Sequence, residues 1–379
     1  MARLRFAATL LLGICFVVAS FAATPRARDL GVPFEGTPGP LNAITDVAGV
    51  EVGHTTIIRG EGKLVVGEGP VRTGVTVLFP RGHANHASVF AAWFSLNGNG
   101  EMTGTAWLDE SGILDGPIAL TNTHSVGVVR DAIIQWQVKK GLGVGEVWWS
   151  LPVVAETWDG WLNDLNGFHV KPEHVFAALD AAKRGPVDEG SVGGGTGMIC
   201  HEFKGGIGTA SRTTSLGYTV GVLVQANYGL RRQLRIAGVP VGKEIPEGAF
   251  RPDEDGSIIV VIATDAPVLP HQLKRLARRA TLGLGRMGSI SGDGSGDLFI
   301  AFSTANTVPT EPKKPGTVQL MNTEDLGPVF GGVVEATEEA IVNALVAGET
   351  MKGRDDHVVE GLPHDKLREV LRKYGRLAK

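Results

Sequence analysis

The dipeptide Gly256-Ser257 lies where a loop rich in proline, glycine and charge runs straight into a strongly apolar segment, S-I-I-V-V-I-A-T. A serine hydroxyl needs a base before it can act as a nucleophile. If the chain is cut before Ser257, the new α-amine supplies such a base within reach, with an ordinary pKa of about 8. Gly256 can adopt the strained backbone that this cut requires. On the dipeptide alone, however, an ordinary turn that leads into a strand is the favoured interpretation.

Other patterns of catalytic or ligand-binding residues are incomplete. The His-Glu pair at 201–202 lacks the second histidine of a zinc-binding helix, and Gly193–Gly197 lacks the Lys-Ser/Thr ending of a phosphate-binding loop. Gly292–Asp297 lacks the spacing and terminal glutamate of a calcium loop. Neither G-x-S-x-G nor S-x-x-K occurs. We interpret His83 and His86 as loop residues rather than metal ligands, so the sequence implies no metal and no cofactor.

The N-terminus has the features of a secretory signal peptide. Arg3 and Arg5 precede an apolar run over 6–18, which is followed by the small residues Ala19, Ser20, Ala22 and Ala23. The alternative, a membrane anchor, is less favoured because the run is shorter than the roughly 20 residues that a span needs. We therefore predict a signal peptide at 1–23, cleaved near Ala22 or Ala23, and an exported protein, periplasmic or secreted.

Composition excludes several classes of protein. The 379 residues are 43% hydrophobic and 20% charged with a formal net charge of −4, which fits neither a disordered chain nor a basic nucleic-acid binder. Glycine contributes 53 residues, about twice the usual share, but without the three-residue period of collagen. The two cysteines exclude a disulfide-stapled scaffold, and we expect Cys200 to be buried.

The mature chain reads as alternating strands and helices, which indicates the α/β class. Dense apolar runs predict strands at Gly74–Phe79, Ser125–Val129, Tyr218–Val224, Ser257–Thr264 and Leu298–Ser303. Helical spacing predicts helices at Val129–Lys139, Pro172–Ala182, Pro270–Leu284, Gly332–Ala347 and Asp365–Tyr374. The segment Val239–Gly256 has no period and predicts an exposed loop.

Nine segments in consistent order resemble the DmpA/BapA family of self-processing serine aminopeptidases, which comprises L-aminopeptidase/D-esterases and β-peptidyl aminopeptidases. The resemblance covers nearly all of the mature chain, and the set is far more specific than any one segment. The segments are L-N-A-I-T-D-V-A-G-V-E-V-G-H (41–54), N-G-N-G-E-M-T-G (97–104), T-N-T-H-S-V-G (121–127), A-E-T-W-D-G-W-L-N-D (155–164), V-G-G-G-T-G-M (192–198), F-K-G-G-I-G-T-A-S-R (203–212), V-Q-A-N-Y-G (224–229), D-G-S-I-I-V-V-I-A-T-D-A-P (255–267) and G-D-G-S-G-D (292–297).

The resemblance implies a four-layer αββα sandwich, similar to that of N-terminal nucleophile hydrolases though differently connected. It also implies that a single domain, 24–379, cuts itself between Gly256 and Ser257. The products would be an α chain, 24–256, and a β chain, 257–379, which stay together. Ser257 would then be the N-terminal nucleophile.

The resemblance further assigns roles to individual residues. Ser295 and Asp297 match the serine and the acid that hydrogen-bond around the amine of the nucleophile. Asn227 matches the asparagine whose amide stabilises the oxyanion, and Glu156 matches the carboxylate that pairs with the free ammonium of the substrate. Without the resemblance, each of these residues would have a simpler interpretation. Asn227 would cap a turn, Asp297 would be an acid in a glycine-rich turn, and Glu156 would be a solvated charge in a loop.

Trp158 departs from the family pattern, because some members are expected to have tyrosine at this position. The indole of tryptophan can donate a hydrogen bond from nitrogen but cannot titrate as a phenol does. We therefore interpret Trp158 as a wall of the substrate pocket rather than as a group that stabilises the oxyanion.

These expectations describe an exported aminopeptidase or amidase that releases N-terminal residues from short peptides, amides or esters through an acyl-enzyme. Two alternatives stay open: an acyltransferase of the ornithine acetyltransferase type, and a catalytically silent binding protein that kept the fold. The first usually has a threonine nucleophile, and the second has no chemical reason to retain Ser257, Asn227 and Ser295. We expect no nucleic-acid partner, no membrane association after removal of the signal peptide, and a homo-oligomer of αβ units.

Overall fold

The computed structural model describes residues 25–143, 145, 148–253, 256–309 and 313–378. The predicted signal peptide at 1–23 lies outside the described residues. Across the described ranges, every helix is too short or too polar to cross a membrane.

The described residues form fourteen strands and seven helices. The strands are β1 (Glu51–Arg59), β2 (Val71–Phe79), β3 (Val89–Ser95), β4 (Ile113–Leu114), β5 (Ile118–Asn122), β6 (Val153–Thr157), β7 (Ile199–Cys200), β8 (Phe203–Lys204), β9 (Gly206–Thr213), β10 (Thr219–Asn227), β11 (Ser257–Thr264), β12 (Leu298–Ser303), β13 (Met351–Lys352) and β14 (Val358–Val359). The helices are α1 (Thr105–Ser111), α2 (Val126–Lys139), α3 (Pro172–Asp180), α4 (Val241–Glu244), α5 (Pro270–Arg286), α6 (Gly327–Val346) and α7 (His364–Lys373).

Two large sheets form the centre of the molecule. The six-stranded sheet has the order β4-β3-β12-β11-β10-β9, and the four-stranded sheet has the order β1-β2-β5-β6. Each contains one parallel pair, β11 with β12 and β5 with β6, while the other neighbours are antiparallel. Helices α5 and α6 cover the outer face of the larger sheet, and α2 and α3 cover that of the smaller. The architecture is thus the predicted four-layer αββα sandwich.

Strand β11 shows why the central strands are apolar throughout. Ile258, Val260 and Ile262 face the helical layer, whereas Ile259 and Val261 face the four-stranded sheet. All five side chains are fully buried. A strand that is buried on both faces cannot alternate apolar with polar residues, and its sequence is a continuous apolar run.

The predicted elements agree with the structure in most places. The strands Ser257–Thr264 and Leu298–Ser303 are confirmed at both ends, and the five predicted helices are all present with ends shifted by a few residues. Cys200 is buried, as expected, and burial raises the pKa of its thiol to about 12. His83 and His86 lie in the loop between β2 and β3.

The strand predicted at Ser125–Val129 is wrong. Val126–Lys139 is the helix α2, which buries Val126, Val129, Ile133 and Trp136 on one face at helical spacing. The strand in this region is Ile118–Asn122, immediately before that helix. The short run of valines is compatible with both the two-residue period of a strand and the 3.6-residue period of a helix. Its packing against the four-stranded sheet selects the helix.

The loop predicted at Val239–Gly256 is only partly exposed. Its first half contains the one-turn helix α4, and Val239, Val241 and Ile245 are buried in the core under the larger sheet. The part of the second half that the structure describes is mostly exposed.

Candidate active site

Ser257 is the first residue of β11, and the antiparallel register places it directly opposite Asn227, the last residue of β10. Its side chain is almost buried, with 6% of its surface exposed. The hydroxyl oxygen accepts a hydrogen bond from the backbone N–H of Gly296 at 2.9 Å. Because this contact uses the oxygen as an acceptor, the hydroxyl proton is available to a base.

Gly256 has a conformation that requires glycine. Its φ is +116°, and a Cβ at this position would lie 2.0 Å from the carbonyl oxygen of Asn227. The same Cβ would lie 3.3 Å from Nδ2 of Asn227, so the side-chain amide is beside the Gly256-Ser257 junction. The structure therefore holds this junction in a backbone region that other residues rarely adopt, next to an amide donor.

The side chain of Asn227 is fully buried and fixed at both ends. Its Oδ1 accepts a hydrogen bond from the backbone N–H of Ile199 at 2.8 Å, and its Nδ2 donates to the carbonyl of Trp158 at 2.9 Å. These contacts set the orientation of the amide, with nitrogen towards the junction. One Nδ2 proton is used by Trp158, which leaves the second for another acceptor.

The glycine-rich loop that precedes β12 wraps around the start of β11. Asp297 Oδ1 accepts a hydrogen bond from the backbone N–H of Ile258 at 3.2 Å, one residue beyond Ser257. Ser295 is fully buried, and its Oγ has no hydrogen-bond partner among the described residues. Gly296, which lies between them, is the donor to Ser257 Oγ. Both predicted residues thus flank the contact to the nucleophile.

An open pocket of about 440 Å³ gives access to Ser257. Its polar lining suits a small, charged or hydrogen-bonding ligand better than a large apolar one. The lining residues are Asn99, Gly100, Glu101, Thr123, Glu156, Trp158, Gly256, Ser257 and Gly294.

Glu156 on β6 presents its carboxylate to this pocket while 4% of its surface is exposed. Oε1 accepts from the backbone N–H of Glu101 at 3.0 Å, and Oε2 accepts from the hydroxyl of Thr123. No lysine, arginine or histidine nitrogen of the described residues lies within 4 Å of it. Burial raises the pKa of Glu156, and the hydrogen bond from Thr123 partly opposes that change. A buried carboxylate held by neutral donors would be stabilised by a ligand cation.

Trp158 lies half-buried at the wall of the pocket, as predicted. A Cβ on Gly160 would lie 2.6 Å from the indole, so the absence of a side chain there makes room for the ring. The polar contribution of Trp158 in the site is its backbone carbonyl, which orients Asn227.

The structure brings all the predicted site residues to one end of the two sheets. Gly256, Ser257, Glu156 and Trp158 line the pocket, and Asn227, Ser295 and Asp297 lie around the start of β11. Three groups were not assigned roles from the sequence: the N–H of Gly296, the hydroxyl of Thr123, and the 99–101 segment. Each lies within one of the nine family segments, but a backbone donor and a neutral hydroxyl have no signature of their own.

Asp159 is a further buried acid that the sequence did not single out. It follows Trp158, has 1% of its surface exposed, and accepts a hydrogen bond from Asn163 at 3.0 Å. Burial raises its pKa to about 7, and the hydrogen bond from Asn163 opposes that rise. The hydrogen bond from Asn163 fixes the side chain of the residue that follows Trp158.

Comparisons with known proteins agree with this geometry. The model of Peptidase family S58 matches residues 42–359. The chain is 54% identical to beta-peptidyl aminopeptidase BapA of Sphingosinicella microcystinivorans, over 99% of this chain and 98% of that protein. Among solved structures, the chain is 49% identical to the L-aminopeptidase D-Ala-esterase/amidase of Ochrobactrum anthropi, with a TM-score of 0.88 over 93% of this chain and 100% of that one. That protein is described as a prototype of the serine aminopeptidases and a variant of the Ntn hydrolase fold. The chain is also 50% identical to a solved beta-aminopeptidase of Burkholderia sp., with a TM-score of 0.85 over 93% of this chain and 99% of that one.

Proposed function

This chain belongs to peptidase family S58 and is a serine-type aminopeptidase of the N-terminal nucleophile hydrolase class, and we propose that it matures by cutting itself between Gly256 and Ser257. The mature enzyme then releases N-terminal residues from short peptides, amides or esters. The observation that carries this proposal is that one pocket contains both the junction Gly256-Ser257 and the buried carboxylate of Glu156, with Asn227 beside the junction.

Self-cleavage starts from the uncut chain. Ser257 Oγ attacks the carbonyl carbon of Gly256 and gives up its proton, and the peptide C–N bond breaks as the nitrogen is protonated. The product is an ester between Gly256 and Ser257 Oγ with a free α-amine on Ser257. Water then hydrolyses the ester to leave a carboxylate on Gly256. The positive φ of Gly256 and the nearby Nδ2 of Asn227 both support this reaction.

In the mature enzyme, the α-amine of Ser257 acts as the base for its own hydroxyl. Oγ attacks the substrate carbonyl, the leaving amine or alcohol takes the proton, and an acyl-enzyme forms. Water then attacks the ester and releases the amino acid. The free Nδ2 proton of Asn227 stabilises the oxyanion in both steps, and Ser295 and Asp297 hold the α-amine in position.

Glu156 binds the free ammonium of the substrate. The carboxylate is almost buried in the pocket and receives hydrogen bonds only from neutral donors among the described residues. A substrate ammonium supplies the missing positive charge through a charge-assisted hydrogen bond. An acetylated N-terminus lacks that charge, so the enzyme acts as an aminopeptidase rather than as an endopeptidase.

The two chains remain associated after the cut. Chain 257–379 contributes β11 and β12, which lie between β3 and β10 of chain 24–256 in the six-stranded sheet. Separation would break the pairing on both sides and expose the core on both faces of that sheet. We further propose that the signal peptide directs export and that the αβ units form a homo-oligomer.

A panel of p-nitroanilides that carry L-Ala, D-Ala and β-homoamino acids tests the proposed activity. We expect the correctly processed enzyme to hydrolyse at least one of them and to leave its N-acetylated counterpart almost untouched. Failure on the whole panel by fully processed protein would contradict the proposed activity.

A further inference from the structure

Lys204 is a fully buried lysine near the active site that the proposed mechanism does not use. It lies on β8 directly opposite Ile199 on β7, in a short hairpin. Its ammonium donates hydrogen bonds to the carbonyl oxygens of Met198 at 2.8 Å, Gly205 at 2.9 Å and Gly195 at 3.3 Å.

No carboxylate of the described residues lies within 4 Å of the Lys204 ammonium. Burial of a cation without a counterion is costly, and here it lowers the pKa of Lys204 to about 7. Its hydrogen-bond partners are three backbone carbonyl groups, and an apolar side chain would fill the same space without the cost of burying a basic group.

One peptide unit connects Lys204 to the active site. The carbonyl of Met198 accepts from Lys204 Nζ, and the N–H of the same peptide unit, that of Ile199, donates to Oδ1 of Asn227. On the other side of the amide, Nδ2 lies beside Gly256. Lys204 is therefore two hydrogen bonds from the side chain proposed to stabilise the oxyanion.

The hairpin that carries this connection is rigidly placed. His201 and Glu202 form its turn with φ values of 48° and 61°, the left-handed region that a two-residue hairpin requires at both central positions. The N–H of His201 donates to the carbonyl of Tyr228 at 2.7 Å, which fixes the turn to the residue after Asn227.

We propose that Lys204 is a positioning residue for catalysis, whose amino group donates to the carbonyl of Met198, polarises the Met198-Ile199 peptide and thereby orients Asn227 and strengthens its Nδ2 as an oxyanion donor. Hydrogen bonds in a chain polarise one another, so the hydrogen bond from Lys204 affects the amide of Asn227 at the other end of the chain. Lys204 transfers no proton and touches no substrate. This inference rests on the proposed function, because it concerns the oxyanion of the same reaction.

The test compares Lys204→Met with Arg212→Met. Arg212 is another fully buried basic residue, which donates to Glu339 and to backbone carbonyls beneath the helical layer of the larger sheet, away from the pocket. Both variants leave buried carbonyl groups without their hydrogen-bond donor and are expected to unfold at a lower temperature. We expect only Lys204→Met to slow self-cleavage and to lower kcat, each by about tenfold or more. KM should stay within about twofold of wild type, since Glu156 is unchanged.

A double variant separates positioning from general stability. If Lys204 acts through Asn227, adding Lys204→Met to Asn227→Ala should slow self-cleavage no further. Independent, multiplying losses would overturn the proposal, as would a Lys204→Met enzyme whose cleavage and kcat match those of Arg212→Met.

Folding is checked against the uncut Ser257→Ala protein by thermal unfolding. If Lys204→Met precipitates, Lys204→Gln replaces it, and loss of folding in both variants would assign Lys204 a structural role and overturn the proposal. A wild-type chain that stays uncut would instead contradict the proposed function itself, and the role of Lys204 with it.

Discussion

Asn227 and Ser257 lie directly opposite each other across the antiparallel pair β10–β11. The proposed oxyanion donor and the nucleophile are thus positioned by strand register, in the middle of a six-stranded sheet, rather than by flexible loops. A slip of one residue would reverse the faces of every side chain on β11. Because both faces of that strand are buried, the core that stabilises the fold also fixes the geometry of the site.

Gly256→Ala should prevent or strongly slow self-cleavage. A methyl group would lie 2.0 Å from the carbonyl oxygen of Asn227, so the junction must move away from the amide that we propose as its oxyanion donor. We expect cleavage at least tenfold slower than in wild type, measured by gel on freshly purified protein. Gly285→Ala on α5 is the control, since its Cβ would meet nothing within 4 Å. Normal cleavage of Gly256→Ala would contradict the role of this conformation.

Glu156→Gln should impair substrate recognition without affecting maturation. The amide keeps the shape of the carboxylate but loses the charge that we propose binds the substrate ammonium, an interaction worth on the order of 1.5–3 kcal/mol. Self-cleavage should be normal because the uncut chain presents no substrate amine. Turnover of free-amine substrates should fall about ten- to a hundredfold, measured as kcat/KM.

N-acetylated substrates provide the control for Glu156→Gln. They should be poor substrates for the wild type and little changed by the substitution. Equal losses on acetylated and free-amine substrates would show that Glu156 holds the site together instead of recognising an amine.

The pH dependence of kcat/KM should show an acid limb formed by two groups. The α-amine of Ser257, with an ordinary pKa of about 8, must lose its proton to act as a base. Glu156 must also be ionised to bind an ammonium, and burial raises its pKa, so its charge is lost at a higher pH than for an exposed glutamate. In Glu156→Gln, the acid limb should show only the titration of the Ser257 α-amine. An unchanged limb in that variant would contradict the contribution of Glu156.

Asp159→Asn should make stability less dependent on pH. The pKa of Asp159 is about 7 in the folded protein and near 3.8 when unfolded, so folding takes up a proton between these values. The contribution of Asp159 to the free energy of unfolding of the wild type therefore falls as pH rises from about 4 to 7, by about 1.4 kcal/mol per pH unit at most. Measured by urea unfolding, the free energy of unfolding of the variant should increase relative to that of the wild type as pH rises over this range, with little difference near pH 4. A constant difference at all pH values would contradict the shifted pKa.

The sequence predicts β11 and β12 of the larger sheet well, because Ser257–Thr264 and Leu298–Ser303 are continuous apolar runs bounded by glycine or polar residues. It does not separate a short strand from the start of a helix at Ser125–Val129, where tertiary packing decides. Strand β1 is also missed, since its polar and apolar residues are mixed at the edge of the smaller sheet.

The site residues also differ in how far the sequence predicts them. Residues with distinctive chemistry, such as Ser257 and Glu156, are found from the family segments, and the structure places both at one pocket. The N–H of Gly296 is a backbone donor that no residue type encodes. Lys204 acts through a peptide unit shared by Met198 and Ile199, a relationship that exists only once the hairpin has folded.

Autocleavage is the central claim, and intact-mass and N-terminal sequencing of the purified protein test it most directly. At about 105 Da per residue, chains 24–256 and 257–379 should have masses of about 24 and 13 kDa and should co-purify, with the smaller beginning at Ser257. Ser257→Ala should give one uncut chain, because a methyl group replaces the attacking oxygen. Cleavage of purified Ser257→Ala at the same bond, or a wild-type enzyme that is active while uncut, would contradict the account.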